Sequence, residues 1–151
     1  MKVVIQRVSE ARVIADGILT GSIEKGLLVL LGIHSDDTQK DIDWLINKII
    51  QMRIFSDEDD KMNLSVKDIQ GNILVISQFT LFASTKKGNR PSYTQAAPPS
   101  IAIPIYESFL SKIRSSGFEN VQTGVFGADM KIHLINDGPV TIAIDSQWRA
   151  W

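Results

Sequence analysis

The run Leu27-Leu28-Val29-Leu30-Leu31-Gly32-Ile33 contains no polar side chain. It is far too short to span a membrane as a helix, which takes about 20 residues. An apolar run of this length after Lys25-Gly26 reads as a strand covered on both faces. Any fold built on it must supply apolar surface to both sides of a sheet. A second run, Ile73-Leu74-Val75-Ile76-Ser77-Gln78-Phe79-Thr80-Leu81-Phe82, reads as another central strand.

The remaining pattern supplies the cover. Val3 to Ala15 has strand character, Asp16-Gly17 is a hairpin signal, and Ile18 to Ile23 is the return strand. Thr38 and Asp41 have the spacing of a capping box, and Ile42, Leu45, Ile46, Ile49 and Ile50 then recur at helical spacing to about Met52. Residues 56–72 are polar and read as a connecting loop with room for one short strand. A second helix starts at Pro98-Pro99-Ser100, turns Ile105, Phe109, Leu110 and Ile113 inward, and stops at Gly117. Pro104 is tolerable there only near the first turn. Three strands follow, at about 119–126, 130–136 and 139–145. The expected fold is α+β: a single domain over 1–151, with a mostly antiparallel sheet, curved or closed into a barrel, and two main helices packed outside.

Composition narrows the function. The formal net charge of −1 excludes a general polyanion-binding surface, so any nucleic-acid contact must come from a local basic patch. There is no cysteine, which removes disulfides, thiol chemistry and thiolate-held metals. Met1-Lys2-Val3-Val4-Ile5-Gln6-Arg7 alternates and carries an early Arg, so it reads as a strand and not as a signal peptide. A cytoplasmic protein is the expectation, with no membrane partner.

Some candidate sites fall away. Asp57-Glu58-Asp59-Asp60 is acidic, but Lys61 and Met62 stand where a calcium loop needs a ligand and its glycine. His34 and His133 are the two histidines and have no partner at helical spacing, so no metal set or Ser-His-Asp arrangement is proposed. No phosphate-binding glycine loop is present, and no cofactor is expected.

Three segments remain. Ser77, Gln78 and Thr80 interrupt an otherwise apolar strand; buried polar groups need partners, and a strand end that supplies them often opens into a site. Their alternative use is to satisfy neighbouring backbone. Lys86-Lys87-Gly88-Asn89-Arg90 follows at once, a cationic loop suited to phosphates or a plain solvated turn. Near the C-terminus, Asn136-Asp137-Gly138-Pro139 joins two strand patterns by what reads as a tight turn, stiffened by the proline and bare of side chain at Gly138.

Together these segments resemble the D-aminoacyl-tRNA deacylase family (the D-tyrosyl-tRNA deacylases) over the full chain. The resemblance rests on Met1-Lys2-Val3-Val4-Ile5-Gln6-Arg7-Val8-Ser9, Ser77-Gln78-Phe79-Thr80-Leu81, Gly88-Asn89-Arg90-Pro91-Ser92, Phe126-Gly127-Ala128-Asp129-Met130 and Asn136-Asp137-Gly138-Pro139-Val140-Thr141. Tyr93 is a mild departure, at a position where many relatives carry Phe. The resemblance implies a homodimer that acts on the aminoacyl-tRNA acceptor end. Gly138 and Pro139 of one subunit would enter the other subunit's site as a Gly-cis-Pro element and exclude L-residues while passing D-residues and glycine. Lys86, Lys87 and Arg90 would be the local tRNA contact. Phe126 and Met130 belong to the expected substrate-binding set.

The resemblance also implies a reaction, hydrolysis of the ester between a D-amino acid and the terminal adenosine of tRNA. No convincing general base accompanies a nucleophile in the sequence. Covalent attack by Thr80 is one route, though an unactivated threonine hydroxyl is a weak nucleophile. On the other route, favoured by the resemblance, backbone amides near Phe79 and Thr80 position the ester and the adenosine 2′-hydroxyl helps to activate water. Ser77 and Gln78 then bind the adenosine or order the pocket, and the Ala102 carbonyl adds a contact to the substrate amino group. A non-catalytic acceptor-end-binding dimer is the alternative from another functional class; a metal-dependent hydrolase is disfavoured by the poor ligand inventory.

Overall fold

The computed structural model describes residues 1–119 and 121–148. In chain order it contains β1 (Lys2–Ala15), β2 (Ile18–Ile23), β3 (Gly26–Gly32), α1 (Gln39–Gln51), β4 (Phe55–Ser56), β5 (Met62–Leu64) and β6 (Asn72–Ser77). A single 3₁₀ turn (Phe79–Phe82) follows, then α2 (Pro99–Ser115), β7 (Gln122–Thr123) and β8 (Met130–Asp145).

The long β1 is the spine. β2 and β3 form one return arm along one edge of it, Ile23 facing Ala11 and Gly26 facing Val8, while β8 runs antiparallel along the other edge. On its far side β3 pairs in parallel with β6, and β6 in parallel with β7. Parallel neighbours need a crossover; α1 lies between β3 and β6 in the chain, and α2 between β6 and β7. β7 returns toward β2, where a Cβ placed on Gly21 would lie 2.9 Å from the Thr123 carbonyl oxygen. The sheet is therefore a mixed, nearly closed barrel with two helices.

The apolar run of β3 is covered on both faces, as its composition demands. Leu27, Val29 and Leu31 join Val3, Ile5, Val75 and the inner faces of α1 and α2 in one core. Leu28 joins Val8, Val13, Leu74 and Ile76 in a second core built by strands alone. Burying each such side chain contributes about 1.5–3 kcal/mol. Gly26 permits the parallel ladder to start: a Cβ there would lie 1.9 Å from the Asn72 carbonyl oxygen. At the end of the barrel the Met1 ammonium, fully buried, is ion-paired with the Asp37 carboxylate and donates to Ser146 Oγ at 2.7 Å. α1 opens on the expected box, with the Thr38 N–H donating to Asp41 Oδ2 at 2.9 Å.

Several sequence expectations are corrected. The strand expected over 73–82 ends at Ser77; β3 ends at Gly32, so beyond the Gln78 N–H bond to the Leu31 carbonyl (2.7 Å) the ladder has no partner and the chain coils into the 3₁₀ turn. The strand expected over 119–126 reduces to Gln122–Thr123, because only Leu74 and Val75 pair with it. The 56–72 segment holds β5, and this pairs with β4 just before it, Phe55 facing Leu64. Asp57 caps the tip of that hairpin, its Oδ1 accepting the Asp59 and Lys61 N–H groups at 3.0 Å each. Pro104 sits beyond the first turn of α2, so it leaves the Ser100 carbonyl without its in-helix donor. Ile105 is half-buried, and Ala102 and Tyr106 carry the inner face with Phe109, Leu110 and Ile113.

The largest correction concerns the strands expected over 130–136 and 139–145. They do not fold back on each other; both lie in β8 and run in one direction along β1. Between the pairs Gln6–Thr141 and Val8–Asn136 the register jumps, and residues 137–140 are looped out of the ladder. The turn is a projection from a continuous strand. Among the described residues no helix is long and apolar enough to cross a membrane.

Candidate active site

Where β6 gives way to the 3₁₀ turn, a cleft of about 250 Å³ opens. Ser77, Gln78 and Phe79 line one side, Ala102 of α2 another, and Phe126 and Met130 a third. Six of the twelve sequence candidates meet here although no common local pattern links them; the barrel brings them together with the end of β3 and the residues beyond it (Leu31 and Ile33) and with Gly127 to Asp129. Leu31 and Ile33 were missed because their apolar run reads only as core. Their signal is register, since Ser77 pairs with Leu31. Ala97 completes this wall, its N–H donating to the Ile33 carbonyl at 2.9 Å.

The polar groups of the cleft are sparse. Gln78 Nε2 donates to Thr80 Oγ1. An amide nitrogen has no lone pair to take a proton, so this partner orients the hydroxyl without activating it as a base would. Asp129 is the carboxylate of the lining, and both its oxygens accept from Lys131 Nζ at 2.9 Å. His34 is used elsewhere, its Nδ1 accepting the Asp36 N–H at 3.1 Å, and His133 is exposed on β8 opposite Arg12.

Backbone donors are better placed. Within the 3₁₀ turn the first bonds run from Leu81 N–H to the Gln78 carbonyl (3.3 Å) and from Ala83 N–H to the Thr80 carbonyl (3.0 Å). The N–H groups of Phe79 and Thr80 precede these and have no acceptor inside the turn. Tyr106 of α2 ties the lining to the sheet. Its hydroxyl donates to the Val75 carbonyl at 3.4 Å and its ring lies 5.6 Å from that of Phe126. Burial pushes the Tyr106 hydroxyl up to about 12.

The cationic loop lies beside the cleft mouth. Backbone bonds between Ser84 and Ser92, at 2.8 and 2.9 Å, pinch its base, and Lys86, Lys87 and Arg90 are exposed on its tip. Tyr93, just past the pinch, meets Phe79 edge to face with ring centroids 5.1 Å apart.

Gly138 and Pro139 are not brought into this cleft by their own chain. They are exposed at the looped-out segment of β8, and their peptide bond is cis. Gly138 has φ +122°, a conformation that L side chains rarely adopt. Arg7 fixes the turn from β1: Nε donates to the Asp137 carbonyl at 3.2 Å and Nη1 to the Ile54 carbonyl at 2.6 Å. Asn136 closes its neck, with the amide oriented so that nitrogen faces the Arg7 and Val140 carbonyls (3.0 and 3.2 Å) and oxygen faces Gln6 Nε2 (3.2 Å). The result is a braced, side-chain-poor finger that takes no part in lining its own chain's cleft.

Comparison with known proteins agrees with these motifs. The family described as D-Tyr-tRNA(Tyr) deacylase matches residues 4–145. A protein of Flavobacterium johnsoniae named D-aminoacyl-tRNA deacylase is 61% identical over 149 residues, covering 99% of each chain. One of Bacteroides fragilis with the same name is 57% identical over 147 residues, covering 97% of this chain and 98% of its own. Among solved structures, one titled c-Myc DNA Unwinding Element Binding Protein superposes with a TM-score of 0.90 at 44% identity, over 96% of this chain and 98% of that one. A second, titled as a probable eukaryotic D-amino acid tRNA deacylase, shares the fold with a TM-score of 0.80 at 15% identity, over 95% of this chain and 97% of that one.

Proposed function

Since the chain belongs to the D-Tyr-tRNA(Tyr) deacylase family, we propose that it hydrolyses the ester joining a D-amino acid to the terminal adenosine of tRNA, releasing the D-amino acid and free tRNA. One observation carries the reading to this chain: the cleft at Ser77, Gln78 and Phe79 adjoins two backbone donors without acceptors in their turn, beside a loop bearing three cations.

The chemistry follows from what the cleft supplies. The aminoacyl group enters between Ala102, Phe126 and Met130, and the N–H groups of Phe79 and Thr80 face the oxyanion that develops at the ester carbonyl. Thr80 Oγ1, held by Gln78, has no base to activate it, so water is the nucleophile. The adenosine 2′-hydroxyl helps by relaying the water proton to the departing 3′-oxygen, which leaves the free acid and a 3′-hydroxyl. Ser77 and Gln78 order the adenosine side of the pocket, and the Ala102 carbonyl faces the substrate amino group. Lys86, Lys87 and Arg90 take the phosphates of the acceptor end without reading sequence.

Chirality is read by exclusion. Gly138 and Pro139 project from one subunit of a homodimer into the cleft of the other, where backbone blocks the side chain of an L-residue and leaves room for D-residues and for glycine. The support is that this finger is exposed, braced by Arg7 and absent from its own cleft. Glycyl-tRNA is then a second substrate, and the cytoplasm, where tRNA is charged, is the working compartment.

A second reading, binding of a nucleic-acid end without turnover, draws on the 44% identity with a protein titled as DNA-binding. Incubation with D-Tyr-tRNA and L-Tyr-tRNA, each with and without EDTA, separates the two. The expected result is release of D-tyrosine alone, unchanged by EDTA. Equal rates on both enantiomers remove the chiral filter, and binding without release favours the second reading.

A further inference from the structure

Phe79 and Tyr93 keep 57% and 37% of their surface in water although they pack against each other. Their position is specific. Phe79 lines the cleft, Tyr93 does not, and Tyr93 follows directly on the pinched base of the cationic loop. Contacts run from the cleft through Phe79 to Tyr93, and the chain runs from Tyr93 through the Ser84–Ser92 pinch to the loop that carries Lys86, Lys87 and Arg90.

A single-stranded RNA end presents the same order of chemistry. The terminal nucleoside carries the ester, the next base follows, and further phosphates come after it. Unstacked bases are held by aromatic faces in a sequence-tolerant way, and phosphates by point charges. An edge-to-face partner fixes an exposed ring at little cost in its own exposed area. Together with the acceptor-end reading above, on which it rests, this arrangement has a definite use. We propose that Tyr93, oriented by Phe79, stacks the base of the penultimate nucleotide of the tRNA and so sets the spacing between the cleft and the phosphates held by the loop. The hydroxyl of Tyr93 takes no part, because stacking uses the ring.

The test uses two probes that cannot be hydrolysed: 3′-deoxy-3′-(D-tyrosylamino)adenosine, and the same nucleoside extended on its 5′ side by CpC. Dissociation constants are measured by calorimetry for the wild type, Tyr93→Ala and Tyr93→Phe, with a thermal melt to establish that the exposed substitution leaves folding unchanged. The extension should tighten binding about tenfold in the wild type and in Tyr93→Phe. In Tyr93→Ala most of that gain should be lost, leaving only the share owed to the added phosphates, while the short probe binds as before. Equal weakening of both probes in Tyr93→Ala would mean that the ring merely buttresses Phe79, and the proposal falls. It falls as well if most of the gain survives in Tyr93→Ala, or if the wild type binds neither probe. A Tyr93-dependent gain in a protein that releases no D-tyrosine from tRNA would sustain the platform and remove the hydrolase; release without such a gain would do the reverse.

Discussion

Arg7 and Asp137 lie 130 residues apart in sequence, yet the Arg7 guanidinium both donates to the Asp137 carbonyl and ion-pairs with its carboxylate, each at 3.2 Å from Nε. The Arg7 side chain is only 11% exposed, so this contact belongs to the body of the protein and not to a mobile surface pair. It gives the finger at Gly138 a fixed base. A Cβ on Gly138 would come within 2.8 Å of Arg7 Nη2, which shows how closely the two are fitted.

Arg7→Lys keeps the charge but loses the fork that reaches Asp137 and Ile54 together. Its folded stability should fall by about 1.5–3 kcal/mol, the usual worth of hydrogen bonds from a charged donor. D-Tyr-tRNA hydrolysis should fall at least about tenfold at temperatures where the variant is folded. Urea melts and initial rates check both. A variant with wild-type activity would mean that the turn holds its shape without Arg7.

Gly138→Ala forces an L-residue to φ +122° and should disable a site formed with the other subunit. Mixing Gly138→Ala with Gln78→Trp, which fills the cleft, is the decisive measurement. If the finger acts across subunits, each heterodimer has one site with both lesions and one with neither, and activity returns. If it acts within its own chain, every site keeps one lesion. Partial recovery is expected, and a fully active monomer would dispose of the arrangement altogether.

Thr80→Ala should retain at least about a tenth of the wild-type rate, since its hydroxyl is bound to an amide and not to a base. A D-aminoacyl substrate ending in 2′-deoxyadenosine should react roughly a hundredfold more slowly, the scale of a lost proton-transfer partner. Single-turnover kinetics on both substrates measure this. An inert but folded Thr80→Ala, with a fully reactive deoxy substrate, would instead make Thr80 the nucleophile.

Tyr106 supplies a pH signature. Its neutral form is the buried one, and burial raises its pKa from 10.0 to about 12. The folded state therefore holds a proton that the unfolded state releases above about pH 10, so the associated stability is intact below pH 10 and is lost as pH rises toward 12. The loss is on the order of 2–3 kcal/mol. Tyr106→Phe keeps the ring against Phe126 and should flatten this alkaline decline. Parallel denaturation curves between pH 9 and pH 12 that fall equally in both proteins would assign the decline to other groups.

The local elements were legible because their causes are local. Alternation in β1, the capping box at Thr38 and Asp41, and the wholly apolar β3 each follow from side chains a few residues apart. The motifs at Ser77 to Leu81 and Asn136 to Thr141 likewise identified the family from residues adjacent in the chain. What the chain's periodicity does not encode is where each strand finds its partner. The ladder stops at Gln78 because β3, more than forty residues earlier, has already ended; the Asn136–Pro139 segment juts out because Gln6 and Val8 admit fewer residues than β8 brings to them. The same packing gathers Leu31, Ala102 and Met130 into one cleft and leaves Gly138 outside it. Hydrophobic pattern decides which face of an element is buried, but register, closure and the meeting of distant segments depend on how all the elements fit at once.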